Sequence, residues 1–372
     1  MLALNVDTSL VENLVYFIVS IILFWLFIRV YYQVVLFRRI EGEVERIRKI
    51  DEKVQQMVVR RARCDREEAE TLVQRAANLF VVQPVQLDPH GIIERLENLI
   101  ERSEDKFRSY ARVLTGKRDG VEVDNMSMAL TCVFSIHVIA QYLRHLLLSA
   151  KKTNNIQLLL LITMLLPTFK QFVKSNYEGA KAFLKCVPIG DSVGPMVAAR
   201  LIGDSPVREV EKGTVAAEKE LEGRRLLIVK AHGPGGNLGR LGRAVKKLVR
   251  EYGDVSKIIT IDAALKLEGE KTGKVSEGVG VAMGDPGHES YKIEQIAADE
   301  GIDLDAVAIK MSATEAVMPM PKSVVDAVEE AAERALELAK EAPEDSTVII
   351  VGVGNTVGIP DNRPYVSNGG EG

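Results

Sequence analysis

The sequence predicts an α/β protein made of an N-terminal transmembrane helix, an all-helical middle domain and a C-terminal, mostly parallel α/β sheet domain flanked by helices. Three observations carry this. The stretch from Asn13 to Ile28 holds no charge. From about residue 40 to residue 187, apolar residues recur at three- and four-residue spacing with little glycine. After Pro188, short β-branched runs alternate with helical stretches, and the joints are rich in glycine. The expected layout is an extracytoplasmic N-terminus (1–12), a span (13–37), a helical domain (38–187), a glycine-rich α/β domain (188–363) and a disordered tail (364–372).

The span comes first. Beyond Arg29 the apolar run resumes through Val30, Tyr31, Tyr32, Val34, Val35, Leu36 and Phe37. That makes about 25 residues, enough to cross a bilayer with some tilt. Arg29, near the end of the run, can extend its side chain to the headgroups beside Tyr31 and Tyr32. A cleaved signal peptide does not fit, because no basic region precedes the run and no small-residue cleavage site follows it. Asp7 and Glu12 lie before the span, and Arg38, Arg39, Arg46, Arg48 and Lys49 lie after it. The positive-inside rule therefore assigns the rest of the chain to the cytoplasm, as a single-pass cell-membrane protein.

Composition narrows the remainder. A chain of 372 residues, 47% hydrophobic and 27% charged, has room for two folded units besides an anchor. Its net charge of -4 provides no basic field, so nucleic acid is not an expected partner. Cys64, Cys132 and Cys186 form no C-x-x-C pair and read as reduced thiols in a cytoplasmic setting.

In the middle domain, EGEVERIRKIDEKVQQMVVRRA is a charged helix leaving the membrane, and Asp88 with Pro89 opens another. The apolar stretches Met126 to Leu148 and Ile156 to Val173 read as buried bundle helices rather than further spans. The first carries His137, Gln141, Arg144 and His145, and the second is interrupted by Pro167 and Lys170.

In the α/β domain the strands are Arg224 to Lys230, Ser256 to Asp262, Asp305 to Met311 and Ser346 to Gly352. Ligands of open α/β sheets bind at the carboxyl ends of strands, which makes the loops there the functional edge. GDSVGPMVAARL puts Asp191 at a helix start, where a carboxylate suits the helix dipole. KAHGPGGNLGRLGRA runs from a strand into a helix through Gly233, Gly235, Gly236 and Asn237. Its backbone N–H groups suit a phosphate, although no Walker Gly-Lys-Ser/Thr follows. GVGVAMGDPGHESYKIEQIA carries Asp285 and His288, and GVGNTVGIPD carries Gly354 and Asn355. The plain reading of all four loops is turn chemistry.

Taken together, these pieces resemble the hydrogenase-maturation endopeptidases, which share a phosphorylase/hydrolase-like fold with a spore germination protease. ITIDA (Ile259 to Ala263) is similar to that family's Asp-Ala strand end. GHESYKIEQIAADEGIDLDAVAIKM (Gly287 to Met311) is similar to the His, helix and strand that follow it. MPKSVVDAVEEAAERALELAKE resembles the closing helix, with Ser323 and Asp326 as a capping box. The family's G-x-G-N lies on its first strand, whereas here it sits at Gly352 to Asn355 and the acidic helix start, Asp191, lies at the other end of the domain. The resemblance therefore implies a circular permutation over roughly residues 188 to 362. It also implies a divalent transition metal held by Asp191, Asp262 and His288, with His232 as a substitute ligand. The whole chain also resembles an uncharacterised archaeal membrane-anchored family.

Three functional expectations follow. The first is a membrane-anchored, metal-assisted peptidase or hydrolase-like site acting on a cytoplasmic protein. The second is a non-catalytic regulatory module taking a nucleotide or anion at Gly233, Gly235, Gly236, Asn237, Gly354 and Asn355. The third is a protein-binding scaffold. No G-x-S-x-G or H-E-x-x-H occurs, which leaves the common hydrolase mechanisms without support. The competing plain readings make Asp191 a helix cap, Asp262 a strand-end turn former, and His232 and His288 exposed loop residues. The expected topology has a direct test: a cysteine introduced near residue 5 is labelled from outside intact cells and one near residue 215 is not, and the reverse pattern overturns the orientation.

Overall fold

The computed structural model describes residues 8–79, 92–281 and 288–362. The helix opening expected at Asp88 and Pro89, the Asp285 loop residue and the tail after Pro364 lie outside them. The chain forms two compact units, one from residues up to Ile50 with Ile139–Lys170, the other from Asp51–Val138 with the chain from Gln171 onward.

The first unit contains the amino-terminal part of α1 (Thr8–Arg61), a helix of 54 residues. It also contains the facing ends of α4 (Val121–Thr153) and α5 (Ile156–Lys185), which form an antiparallel hairpin. Tyr142 meets Phe169 edge-on within the hairpin at 6.1 Å. Lys170 pairs with Glu43 of α1 at 2.8 Å, and the Lys151 ammonium lies 5.4 Å from the centre of the Phe37 ring. Side chains along α1 from Leu14 to Phe27 are exposed. Among the described residues α4 and α5 are the two helices long and apolar enough, by length and composition, to cross a membrane, with their most apolar windows 44% and 22% buried, whereas α1 contributes a shorter apolar stretch, Glu12–Phe27.

In the second unit, α1 continues alongside α4, where His137 Nδ1 lies 2.8 Å from the Asp51 carboxylate. His137 is half-buried and turned to the buried Asp51 carboxylate, not to solvent. α2 (Arg66–Ala77) is capped by Asp65, whose carboxylate accepts from the Glu67 amide at 3.0 Å. α3 (Ile92–Thr115) completes the helical part. Cys132 is buried among these helices, which pushes its thiol up to about 12, while Cys64 and Cys186 are half-exposed.

The sheet has seven strands: β1 (Val207–Glu211), β2 (Thr214–Leu221), β3 (Arg224–Ala231), β4 (Val255–Leu265), β5 (Val275–Val279), β6 (Asp303–Met311) and β7 (Thr347–Gly352). Their order is β1-β2-β3-β7-β4-β6-β5. The expected strands are the parallel centre, β3, β7, β4 and β6. The sheet as a whole is mixed rather than mostly parallel, because β1, β2 and β5 join antiparallel. The cause is local. Gly213 and the Glu222–Gly223 pair adopt positive φ, so tight hairpins replace helical crossovers, and the short, charged β1 and β5 carry none of the apolar run that marks a central strand.

Helices cover both faces. α6 (Val193–Ile202) and α11 (Val328–Lys340) pack on one side, α7 (Leu241–Tyr252) and α8 (His288–Glu300) on the other. The expected capping box at Ser323 and Asp326 is absent, since both fall inside α10 (Lys322–Asp326), which Pro321 opens. The box occurs instead at Ser312 and Glu315, opening α9 (Ala313–Val317).

One close approach sets where α6 sits. A Cβ on Gly194 would lie 2.1 Å from the Val353 carbonyl oxygen and 2.4 Å from that of Ile261. The first turn of α6 therefore rests directly on the carboxyl ends of β7 and β4. Gly194→Ala should destabilise the protein by about 2–3 kcal/mol, as overpacking against backbone does; an unchanged denaturation midpoint would show that α6 sits elsewhere.

Candidate functional site at the carboxyl edge of the sheet

A 3-10 turn at Gly190–Ser192 leads into α6. Upstream, Ile189 bridges Pro319, with Gly190 N donating to Met318 O at 3.0 Å and Met320 N to Pro188 O at 2.9 Å. This pins Asp191 between two ordered segments. Its side chain is not a helix cap: neither the turn nor α6 has a side-chain cap bond. The carboxylate instead reaches the other end of the domain, where Oδ2 accepts from the Asn355 amide at 2.9 Å. Gly354, at φ 125°, passes so close that a Cβ there would be 2.0 Å from the Asp191 carbonyl oxygen. Burial pushes the Asp191 carboxyl above the usual carboxylate range, partly offset by the Asn355 amide.

Asp262 sits at the carboxyl end of β4, buried, with Oδ1 accepting from the Ala263 amide at 2.6 Å. The neighbouring residue Ile261 is the one that Gly194 contacts, and Ile261 O accepts from Val353 N at 2.8 Å. Asp191 and Asn355 thus meet over the β4–β7 junction, while Asp262 follows Ile261 on β4 and, by the alternation of the strand, belongs to the face of Ile258 toward α7 and α8 rather than to the α6 face of Ile259 and Ile261. After β4 the chain passes through the edge strand β5 before α8 on one face, and after β6 it reaches α11 on the other, so the topological switch point is the β4–β6 boundary, on the other side of β4 from the Asp191–Asn355 contact. Beside the Asp191–Asn355 bond two buried polar atoms, Ser192 Oγ and Asn355 Nδ2, have no hydrogen-bond partner among the described residues. Asn355 Oδ1 accepts from Val357 N at 2.9 Å, which turns its amide group away from solvent.

The family models supply the affiliation. One described as "Protein of unknown function (DUF1512) N-terminal domain" matches residues 14–186, and one described as "Domain of unknown function (DUF1512) C-terminal" matches residues 189–360. The chain belongs to the DUF1512 family. No curated protein matches it.

In this DUF1512 protein the glycine loop is filled from within. Gly236 N donates to Asn125 Oδ1 at 2.7 Å, Gly233 N to Asp361 Oδ1 at 2.8 Å, and Gly239 N to Asn237 Oδ1 at 3.0 Å. A Cβ on Gly235 would meet the Asp124 carboxylate at 2.7 Å, and one on Gly233 the Ile359 carbonyl at 1.9 Å. The amides that open α7 are also taken, since Gly242 N donates to Glu289 Oε2 at 2.5 Å. The anion seat at that helix end is thus held by the chain's own carboxylate.

The two histidines separate. His232 is mostly exposed, with Nδ1 2.6 Å from Asp361 Oδ2. Asp361 Oδ1 also accepts from the fully buried Lys230 ammonium at 2.6 Å; burial lowers the lysine's pKa, and the Asp361 charge opposes that shift. His288 opens α8, and its side chain lies outside the described residues. Among those residues no three His, Cys, Asp or Glu side chains form a metal-binding group.

Sequence reasoning missed Ser192, Lys230 and Asp361. The available signal was a lysine ending an otherwise apolar strand, which requires a buried counter-charge. The pH response of Asp191 can be read directly. Its folded-state pKa is raised, so from the ordinary carboxylate value upward the folded state keeps a proton that the unfolded chain releases, and stability falls as pH rises through that window. Asp191→Asn should remove this fall and leave the variant more stable than the native protein at neutral pH, measured by denaturation from about pH 4 to about pH 8; parallel curves would place the charge elsewhere.

Proposed function

We propose that this protein is a membrane-anchored, hydrolase-like module of the peptidase type, with a divalent transition metal held at the carboxyl edge of its sheet. Asp191 and Asp262 are the oxygen ligands and His288 the nitrogen ligand. The observation that carries this reading is the Asp191 carboxylate, desolvated over the β4–β7 junction and bonded, among the described residues, only to the Asn355 amide. A carboxylate desolvated without a cationic side chain needs a proton or a metal ion. An oxygen/nitrogen donor set of this kind suits a divalent transition metal. The metal would polarise a scissile carbonyl and lower the pKa of a bound water.

The chain's own groups have separate tasks. The Asn355 amide orients the Asp191 carboxylate as outer-sphere partners orient metal ligands. Ser192 Oγ and Asn355 Nδ2 are buried beside this bond and have no hydrogen-bond partner among the described residues. His232, already engaged by Asp361, is the weaker choice for third ligand. The contact between Asp191 and Asn355, 164 positions apart, is also what a circularly permuted relative of the hydrogenase-maturation endopeptidases requires. A nucleotide or anion cradle has less support, because the loop amides already have protein partners. The apolar run of α1 anchors the module, and the arginines after it favour a cytoplasmic site.

Metal binding tests the reading. Zinc or nickel at a hundred times its Kd should stabilise the purified protein by about 2.7 kcal/mol. Asp191→Ala and Asp262→Ala should each abolish the effect, and affinity should rise with pH as the Asp191 proton is displaced. Equal stabilisation of the native protein and both variants, or none in any of them, overturns the proposal; stabilisation by inorganic phosphate alone would favour the anion module.

A further inference from the structure

The α4–α5 hairpin ends in a turn whose surroundings match neither an ordinary solvated loop nor a packed core. The last turn of α4, at this bend, carries Lys151 and Lys152, both exposed, and the Lys151 ammonium lies 5.4 Å from the centre of the Phe37 ring. Phe37 closes the apolar run of α1, and the exposed Arg38 and Arg39 follow at once. The Lys151–Phe37 contact thus sets two exposed lysines of one element beside the point where the exposed apolar helix gives way to two exposed arginines. Just behind the turn, Leu148, Leu160, Leu161 and Met164 are exposed, Met164 to 78%. Apolar side chains this open, next to a basic collar, are a feature of segments that rest on anionic bilayers, not of bundle surfaces.

We infer that the α4–α5 turn is a second membrane contact, in which Lys151, Lys152, Arg38 and Arg39 bind anionic lipid headgroups while Leu148, Leu160, Leu161 and Met164 dip into the interface. Two features select a bilayer over a protein partner. The patch adjoins the anchor's own exit point through the Lys151–Phe37 contact. Its charge is of one sign and complements a cytoplasmic leaflet. The inference rests on the anchoring of α1 but not on any reading of the sheet edge. The α4–α5 turn then holds the first unit against the leaflet instead of leaving it on a single tether.

The chain has one tryptophan, Trp25, inside the apolar run, and this supplies an internal control. The full-length protein is reconstituted in phosphatidylcholine vesicles with or without about 30% phosphatidylglycerol, using lipids brominated either deep in the acyl chain or near the headgroup. In the native protein, deep bromines should quench Trp25. In a Trp25→Phe, Met164→Trp double variant, headgroup-level bromines should quench the new indole. That quenching should drop about twofold when phosphatidylglycerol is left out, or when Lys151→Glu and Lys152→Glu are added. Leu160→Trp in the same background repeats the measurement should Met164→Trp misfold. Quenching of Trp25 with none at either hairpin position overturns the inference while leaving the anchor intact. Deep, charge-independent quenching at the hairpin also overturns it, in favour of α4 and α5 as spans. No quenching of Trp25 removes the anchor and the inference with it.

Discussion

The bond from the Asn355 amide to the Asp191 carboxylate is the constraint on which the C-terminal domain turns. It joins the segment that enters the domain to the segment that leaves its last strand, and it does so over the carboxyl ends of the parallel strands. Three glycines make the approach possible. Gly194, Gly352 and Gly354 each present bare backbone where a Cβ would fall within 2.1 Å, 2.5 Å and 2.0 Å of a neighbour. Glycine here removes side-chain volume between a helix and two strands, with Gly354 adding a positive φ that other residues resist.

The same logic explains why the glycine-rich loop after β3 is not an open cradle. Its backbone lies close to Asp124, Asn125, Met128 and Phe183, and its amides bond Asn125 and Asp361. The glycines serve a joint between helical and sheet elements of one compact unit. Glu97 of α3 reinforces that joint by pairing with Arg243 and with Lys292, the latter at 2.5 Å. The two cations hold the Glu97 carboxyl below its ordinary range against the opposing effect of burial. These charge pairs are satisfied, whereas among the described residues the buried Ser192 Oγ and Asn355 Nδ2 have no hydrogen-bond partner.

What the sequence determined by itself lies in its periodicities. The four central strands, the long helices after the apolar run, and the change of character near Pro188 were all legible, because burial on both faces demands continuous β-branched runs and a helix demands apolar residues every three or four positions. Asp191 and Asp262 stood out for the same local reason: acidic residues at the ends of apolar elements. Only the tertiary structure decided the rest. β1, β2 and β5 are short and partly polar, so their antiparallel pairing depends on turns and neighbours rather than on a run of their own. A glycine loop reads alike whether its amides face a phosphate or an asparagine on a distant helix, and only packing showed Asn125 there. Asp361 gave no sign of joining Lys230 and His232, since an ion pair between residues more than a hundred positions apart leaves no spacing in the chain. Periodicity records what each segment must bury, but the partner it buries against is chosen by the fold.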